Sequence, residues 1–296
     1  MPDPGPILVT GGAGQVASAL AKADGVVRVG RPLLDFDKPE TIEAAFRATA
    51  PRIIVNAAAY TAVDAAENDS EAAYRANRDG PATLARLCAE AGIPLIHIST
   101  DYVFDGTKPD PYAETDPVAP QGVYGASKLA GEEAVLGSGC RAIILRTAWV
   151  YAAQGKNFVR TMLTLAKNRD TLRVVADQHG CPTTADDLAG AILAIVHRLD
   201  ETGWRPEYQG VFHAAGTGAT NWHGLAVATF EEASRYGARA PSVAAIRTEE
   251  YPTPAKRPAN SRLDCTKLRQ VFGVVMPPWR DSLVRTVDEI FTIAPP

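Results

Sequence analysis

Between residues 7 and 145, five short and almost wholly apolar runs alternate with helical patterns, and this rhythm constrains the fold more than any other feature of the chain. The runs fall at residues 7–10, 26–29, 53–55, 94–99 and 142–145. The helical stretches between and after them fall at 15–23, 41–48, 71–78, 80–91 and 128–135. A strand covered on both faces needs apolar side chains at every position rather than at alternate ones. Strand–helix alternation of this kind predicts a parallel sheet with helices on both sides, a doubly wound α/β fold of the Rossmann type.

The rhythm loosens after Tyr151. Residues 158–167, 185–199, 225–236 and 283–290 read as helix, 210–214 as a short strand, and the Pro-, Arg- and Asn-rich stretch 250–262 as loop. The expected organisation is a nucleotide-binding domain over 1–155, with elements near 184–215 returning to it. A smaller substrate-binding lobe, interleaved with that domain, takes most of 156–296. At 296 residues the chain buries enough surface to need no disulfide or structural metal. Cys88, Cys140, Cys181 and Cys265 lie far apart, with no zinc-ligand spacing, and read as free thiols of a reducing cytoplasm. The balance of 30 basic against 34 acidic side chains argues against a nucleic-acid polymer as partner. The opening Met-Pro-Asp-Pro-Gly-Pro has no secretory pattern, and no apolar run reaches membrane-spanning length, so a cytoplasmic protein without a membrane partner is expected.

The segment Thr10-Gly11-Gly12-Ala13-Gly14-Gln15-Val16-Ala17 joins the first run to the first helix. Gly11 permits the tight turn and Gly14 lets backbone approach a pyrophosphate, with Ala17 as the third small position. Spacing nominates Asp35 as a ribose-binding acid, but the second run ends near Val29 and its tip is Gly30-Arg31. An arginine there suits a 2′-phosphate, so the reading leans to NADPH over NADH, with Arg31 as the ligand and Asp35 and Phe36 bordering the adenine.

Two further pieces carry chemistry. Ser99-Thr100-Asp101-Tyr102 ends the fourth run, and Tyr124-Gly125-Ala126-Ser127-Lys128 opens the next helix. A tyrosine and a lysine one turn apart share a helix face. A free phenol titrates near ~10, and a neighbouring ammonium lowers it towards the working range of a proton donor. Thr100 is placed to bond the same substrate oxygen, and Lys128 to hold ribose hydroxyls. Asn56 and Asn77 read equally well as loop ties. His97 and His213 read as strand residues, and none of the five histidines is assigned to catalysis or to a metal.

These pieces, with the runs 55–64, 99–106 and 146–151, with Asp177-Gln178, Gly180 and Pro182-Thr183, and with Arg257-Pro258-Ala259-Asn260-Ser261, resemble the extended short-chain dehydrogenases/reductases. More narrowly, and over essentially the whole chain, the sequence resembles the dTDP-4-dehydrorhamnose reductases. The resemblance implies NADPH-dependent reduction of the 4-keto group of dTDP-4-dehydro-β-L-rhamnose to dTDP-L-rhamnose. Tyr124 is then the general acid, Lys128 its modulator and ribose ligand, and Thr100 the residue aligning the keto oxygen. Gly11, Gly14, Gln15 and Val16 wrap the pyrophosphate, while Ala57, Ala58, Ala59 and Tyr60 line the cofactor. Asp101, Tyr102, Val103 and Trp149 shape the sugar pocket, and Asn157, Arg257 and Asn260 serve the nucleotide-sugar side. A homodimer is expected. Some family members hold Mg²⁺ at a dimer contact through acidic residues. Here Gln15, a neutral amide, follows Gly14, so no Mg²⁺ site is expected even though Asp187 and Glu289 remain in later helices. Two alternatives stay open: a reductase of a related 4-keto-6-deoxy nucleotide sugar, and a non-catalytic NADP-binding regulatory subunit.

Overall fold

A computed structural model describes residues 5–293. Met1, Pro2, Asp3 and Pro4, part of the opening segment weighed for a signal, lie outside the described residues, as do residues 294–296. Strands β1 (Ile7–Thr10), β2 (Val26–Val29), β3 (Ile53–Asn56), β4 (Pro94–Thr100) and β5 (Arg141–Thr147) join Gly210–His213 in one six-stranded sheet. Its order is Gly210–His213, β5, β4, β3, β1, β2, and every pairing is parallel. The order reverses at β1, which has β2 on one side and β3 on the other, so a crevice opens beyond the carboxyl ends of β1 and β3.

The sheet is covered on both faces, which is why its strands are apolar throughout. Ile7 and Val9 pack with Leu20, Leu188, Ile192 and Phe212 on one side. Leu8, between them in sequence, packs with Ile42, Leu84 and Val135 on the other, as alternation along a strand requires. Among the described residues no helix is long and apolar enough to cross a membrane, and all four cysteines are free.

The second half of the chain contributes both to the core under the sheet and to a separate cluster. Helix Ala185–Thr202 packs on helix Gln15–Leu20 and belongs with the sheet core. A separate core forms from Val159, Leu163, Leu172, Leu225, Phe230, Leu283 and Val287. Two small pairings there have no signal in the sequence. Thr171–Val175 runs parallel to Ser242–Ile246, and Asn260–Ser261, within the stretch expected to be loop, pairs with His179–Gly180. Such short strands are defined by distant partners rather than by their own pattern. Element bounds shift locally: the first helix ends at Leu20, and Ser70–Tyr74 passes into a π-helical turn, Arg75–Asp79.

The helix expected over 128–135 is the middle of a longer one, Val123–Gly137. Gly122 at its cap offers no side chain, and Glu67 Oε1 accepts from the Val123 amide at 2.9 Å instead. A Cβ at Gly125 would collide with the Tyr102 carbonyl oxygen, so only glycine allows this helix to approach the end of β4 so closely.

Candidate active site

The crevice is a cleft of about 1020 Å³. Its floor is the glycine segment, where Gly11 has a φ of 107° and a Cβ would lie 2.8 Å from the Ala57 carbonyl oxygen. One side is made by the residues after β3 and β4 and by the start of helix Val123–Gly137. The other side comes from the second half, through Trp149, Val150, Gly155, Lys156 and Trp222.

Buried polar bonds fix the floor. Thr10 Oγ1 donates to Asn56 Oδ1 at 2.6 Å, the Ala58 amide donates to both side chains, and Asn56 Nδ2 meets His97 Nδ1 at 2.9 Å. Burial holds His97 well below the usual imidazole range, which keeps that ring neutral. Asn77 accepts from the Tyr60 amide at 2.8 Å and donates to Ser127 Oγ at 3.0 Å, so the π-helical turn ties the loop after β3 to the helix bearing Tyr124 and Lys128.

Thr100, Tyr124 and Lys128 line the same cleft. Thr100 Oγ1 accepts from the Tyr102 amide at 3.2 Å and donates to Asp101 Oδ1 at 3.0 Å. Lys128, 2% exposed, donates to the Ile98 carbonyl at 2.6 Å. Burial lowers its pKa to about 8, with Glu132 pulling the other way. The expected lowering of the phenol is not found. Burial pushes Tyr124 up to about 12, against a hydrogen bond with Thr100, while the ammonium is spent on a backbone carbonyl. Asp101 is 3% exposed, and burial raises its carboxyl to about 7.

Of the nominated residues, Gly11, Gly14, Gln15, Val16, Arg31, Phe36, Ala57, Ala58, Ala59, Tyr60, Thr100, Asp101, Tyr102, Tyr124, Lys128 and Trp149 line the cleft. Five nominated residues do not line it. Asp35 turns to Arg31, whose Nε it meets at 2.9 Å. Val103, last in the 3-10 turn Asp101–Val103, is rotated into a core with Phe104 and Tyr112. Asn157 caps helix Phe158–Ala166 by accepting from the Arg160 amide, and its amide donates to Gln15 Oε1 at 2.9 Å. Arg257 pairs with Asp64 at 2.8 Å. Asn260 donates to the Lys108 and Asp110 carbonyls, which pins that loop. Among the described residues there is no group of three or more possible metal ligands. Asp187 is bonded to Ser282 and Arg285, and Glu289 lies 3.8 Å from Lys22.

A family model described as RmlD substrate binding domain matches residues 5–292. A dTDP-4-dehydrorhamnose reductase of Sinorhizobium fredii is 47% identical over 285 residues, 95% of this chain and 96% of that protein. The chain belongs to the dTDP-4-dehydrorhamnose reductase family. A second reductase of that name, from Burkholderia thailandensis, is 45% identical over 97% of this chain and 99% of its own. Among solved structures, a reductase of this family from Bacillus anthracis in complex with NADP superposes with a TM-score of 0.87 at 34% identity, covering 96% of this chain and 99% of that one.

Several residues that line the cleft of this reductase-family chain were not nominated by the sequence, among them Leu34, Thr147, Lys156 and Trp222. Trp222 is the most informative. Its ring stacks on Trp149 with centroids 3.5 Å apart and planes 7° apart, and its Nε1 donates to Gln178 Oε1 at 3.1 Å. Trp149 has a φ of 50°, an uncommon conformation for so bulky a residue, and the stack helps to hold it there. The structure begins this helix at Trp222 rather than at the expected residue 225, and the available signal was an aromatic residue just ahead of the expected helix, which spacing alone does not connect to Trp149.

Proposed function

We propose that the protein reduces the 4-keto group of dTDP-4-dehydro-β-L-rhamnose with NADPH, giving dTDP-L-rhamnose. The observation that carries this reading is that Tyr124, Thr100 and Lys128 line one cleft together with a glycine floor. The shared name of the relatives supplies the sugar. The floor fits a dinucleotide diphosphate, because it is bare backbone at Gly11, where a Cβ would crowd Ala57. When bound, the dinucleotide supplies the hydride.

Tyr124 gives the proton to the keto oxygen. A phenol raised to about 12 is fully protonated at neutral pH, so the proton to be given is in place when the ketone binds. Thr100 aligns the keto oxygen, and Lys128 holds the nicotinamide ribose. Gly14, Gln15 and Val16 hold the diphosphate, and Ala57, Ala58, Ala59 and Tyr60 line the cofactor. Arg31 takes the 2′-phosphate in competition with Asp35 and Asp37, so NADH remains an accepted reductant. Asp101, Tyr102 and Trp149 shape the sugar pocket. Arg257 reaches a substrate diphosphate by exchanging Asp64 for it, while Val103, Asn157 and Asn260 act as support. On this reading residues 1–155, with the elements near 184–215, form the cofactor unit of a cytoplasmic homodimer.

The test is spectrophotometric. NADPH and NADH are each tried against enzymatically generated dTDP-4-dehydrorhamnose, and the product is identified by NMR. Tyr124→Phe should lower turnover by about 100-fold or more, the usual contribution of a positioned acid. Full activity in that variant overturns the assignment of the acid. A different C4 configuration in the product points to a related sugar instead.

A further inference from the structure

Every reduction removes a proton from Tyr124, and some group must return it before the next turnover. We propose that Asp101 returns this proton through the hydroxyl of Thr100. The inference rests on the carbonyl reduction proposed above.

The geometry places one hydroxyl between the carboxyl and the acid. Thr100 Oγ1 lies 3.0 Å from Asp101 Oδ1 and accepts from the Tyr102 amide at 3.2 Å. It donates to Asp101 when that group is a carboxylate and accepts from it when the carboxyl is protonated, which frees the single Thr100 proton for the phenolate. The Tyr124 phenol lines the cleft beside this hydroxyl, close enough for Thr100 to lower its pKa against the larger effect of burial. Asp101 therefore stands one hydroxyl away from the acid, lines the cleft, and is 3% exposed. Around its carboxyl are the hydroxyls of Thr100 and Ser261, the phenols of Tyr102 and Tyr124, and the Cys181 thiol. Arg257 faces Tyr102 from the loop beyond, already paired with Asp64. Burial among neutral groups lifts the carboxyl to about 7, so it carries a proton for a good part of the time near neutrality.

The proton balance is simple. The Tyr124 O–H bond breaks as the O–H bond of the sugar alcohol forms. The phenolate takes the Thr100 hydroxyl proton, and Thr100 takes the carboxyl proton of Asp101. Asp101 is left as a carboxylate and regains a proton from water in the cleft. Nothing is oxidised or reduced in this relay, and Asp101 acts through Thr100 as a positioning and proton-return residue.

The test separates the first turnover from later ones, using the whole enzyme, NADPH and dTDP-4-dehydrorhamnose. In Asp101→Asn the first turnover draws on the proton already on Tyr124, whatever its rate, and each later turnover should be about tenfold or more slower than that first one, leaving a burst of one product per site. Wild-type kcat should fall as pH rises through about 7, since the protonated carboxyl is the active form, and this limb should vanish in D101N. The Ser261 hydroxyl lowers the Asp101 pKa, so Ser261→Ala should move the limb to higher pH. A D101N enzyme without a burst and with the wild-type limb overturns the relay and leaves the reduction standing. Absence of turnover by wild type overturns both. Should D101N fail to fold, an unmoved limb in S261A overturns the relay.

Discussion

The two walls of the cleft are held by different forces. Behind the wall that carries Tyr124 lies an ionic cluster. Glu132, one turn beyond Lys128, accepts from Arg146 Nε at 2.9 Å and Nη2 at 2.6 Å, and from the Ser99 hydroxyl. Both charged side chains are nearly inaccessible, at 5% and 2% exposed. The facing wall is aromatic. Trp149 lies flat on Trp222, and Phe158 leans on Trp222 at 4.8 Å. Directional bonds hold atoms to fractions of an ångström, which proton transfer requires. Stacked rings supply area and tolerate sliding, which suits a surface that receives a sugar.

This contrast is most sharply tested by removing one charge behind the first wall. Arg146→Met leaves Glu132 buried without its cation, and such breakage costs about 3–5 kcal/mol. For a chain of this size the melting temperature should fall by roughly 5–10 °C, measured by calorimetry. Adding Glu132→Gln to R146M should recover much of that loss, because no unpaired charge then remains. A single variant that melts within about 2 °C of wild type would erase the distinction between the walls.

The first wall was also the more legible in the sequence, for a physical reason. The pairing of Tyr124 with Lys128 and the run Gly11 to Val16 are local, so helix periodicity and turn chemistry are enough to place them. Legibility ended where a side chain's direction depends on a turn or a distant partner. Thr100 to Val103 read as four pocket residues in a row, yet the 3-10 turn rotates Val103 into the core while Asp101 and Tyr102 stay at the cleft. Asn260 looked like a polar group awaiting a ligand, but its side-chain amide is spent on the Lys108 and Asp110 carbonyls of a distant loop. The pKa of Tyr124 was misjudged because spacing shows neither the burial that raises the phenol nor that the Ile98 carbonyl takes the Lys128 ammonium. The second wall was half visible, since Trp149 was nominated and the ring that backs it was not.

Replacing that ring gives the next prediction. Trp222→Ala removes a stack worth about 0.5–1.5 kcal/mol beyond its area, so KM for the sugar should rise roughly 2- to 12-fold. KM for NADPH should change little, because the glycine floor and the Thr10–Asn56–His97 bonds do not involve Trp222. Equal increases for both substrates would mean that the aromatic wall also positions the dinucleotide, and the two walls would then not act independently.

The smallest effect belongs to the rim, where the bond type of the buried cluster recurs in water. Arg31 meets Asp35 at 2.9 Å and Asp37 at 2.8 Å, and Asp37 also takes Arg75 at 3.1 Å. Arg31 and Asp37 are 66% and 42% exposed, against the near-zero exposure of Arg146 and Glu132. An exposed pair is worth about 0–1 kcal/mol, so Asp37→Asn should leave the melting temperature almost unmoved. It should nevertheless change cofactor choice. A 2′-phosphate approaching Arg31 meets two carboxylates already in place, and neutralising one removes both a competitor and a repulsion. The ratio of kcat/KM for NADPH over NADH should rise about two- to fivefold, most clearly at low salt, where exposed charges are least screened. An unchanged ratio would mean that Arg31 does not meet the 2′-phosphate, and the preference between the two reductants would have to come from the buried part of the cleft.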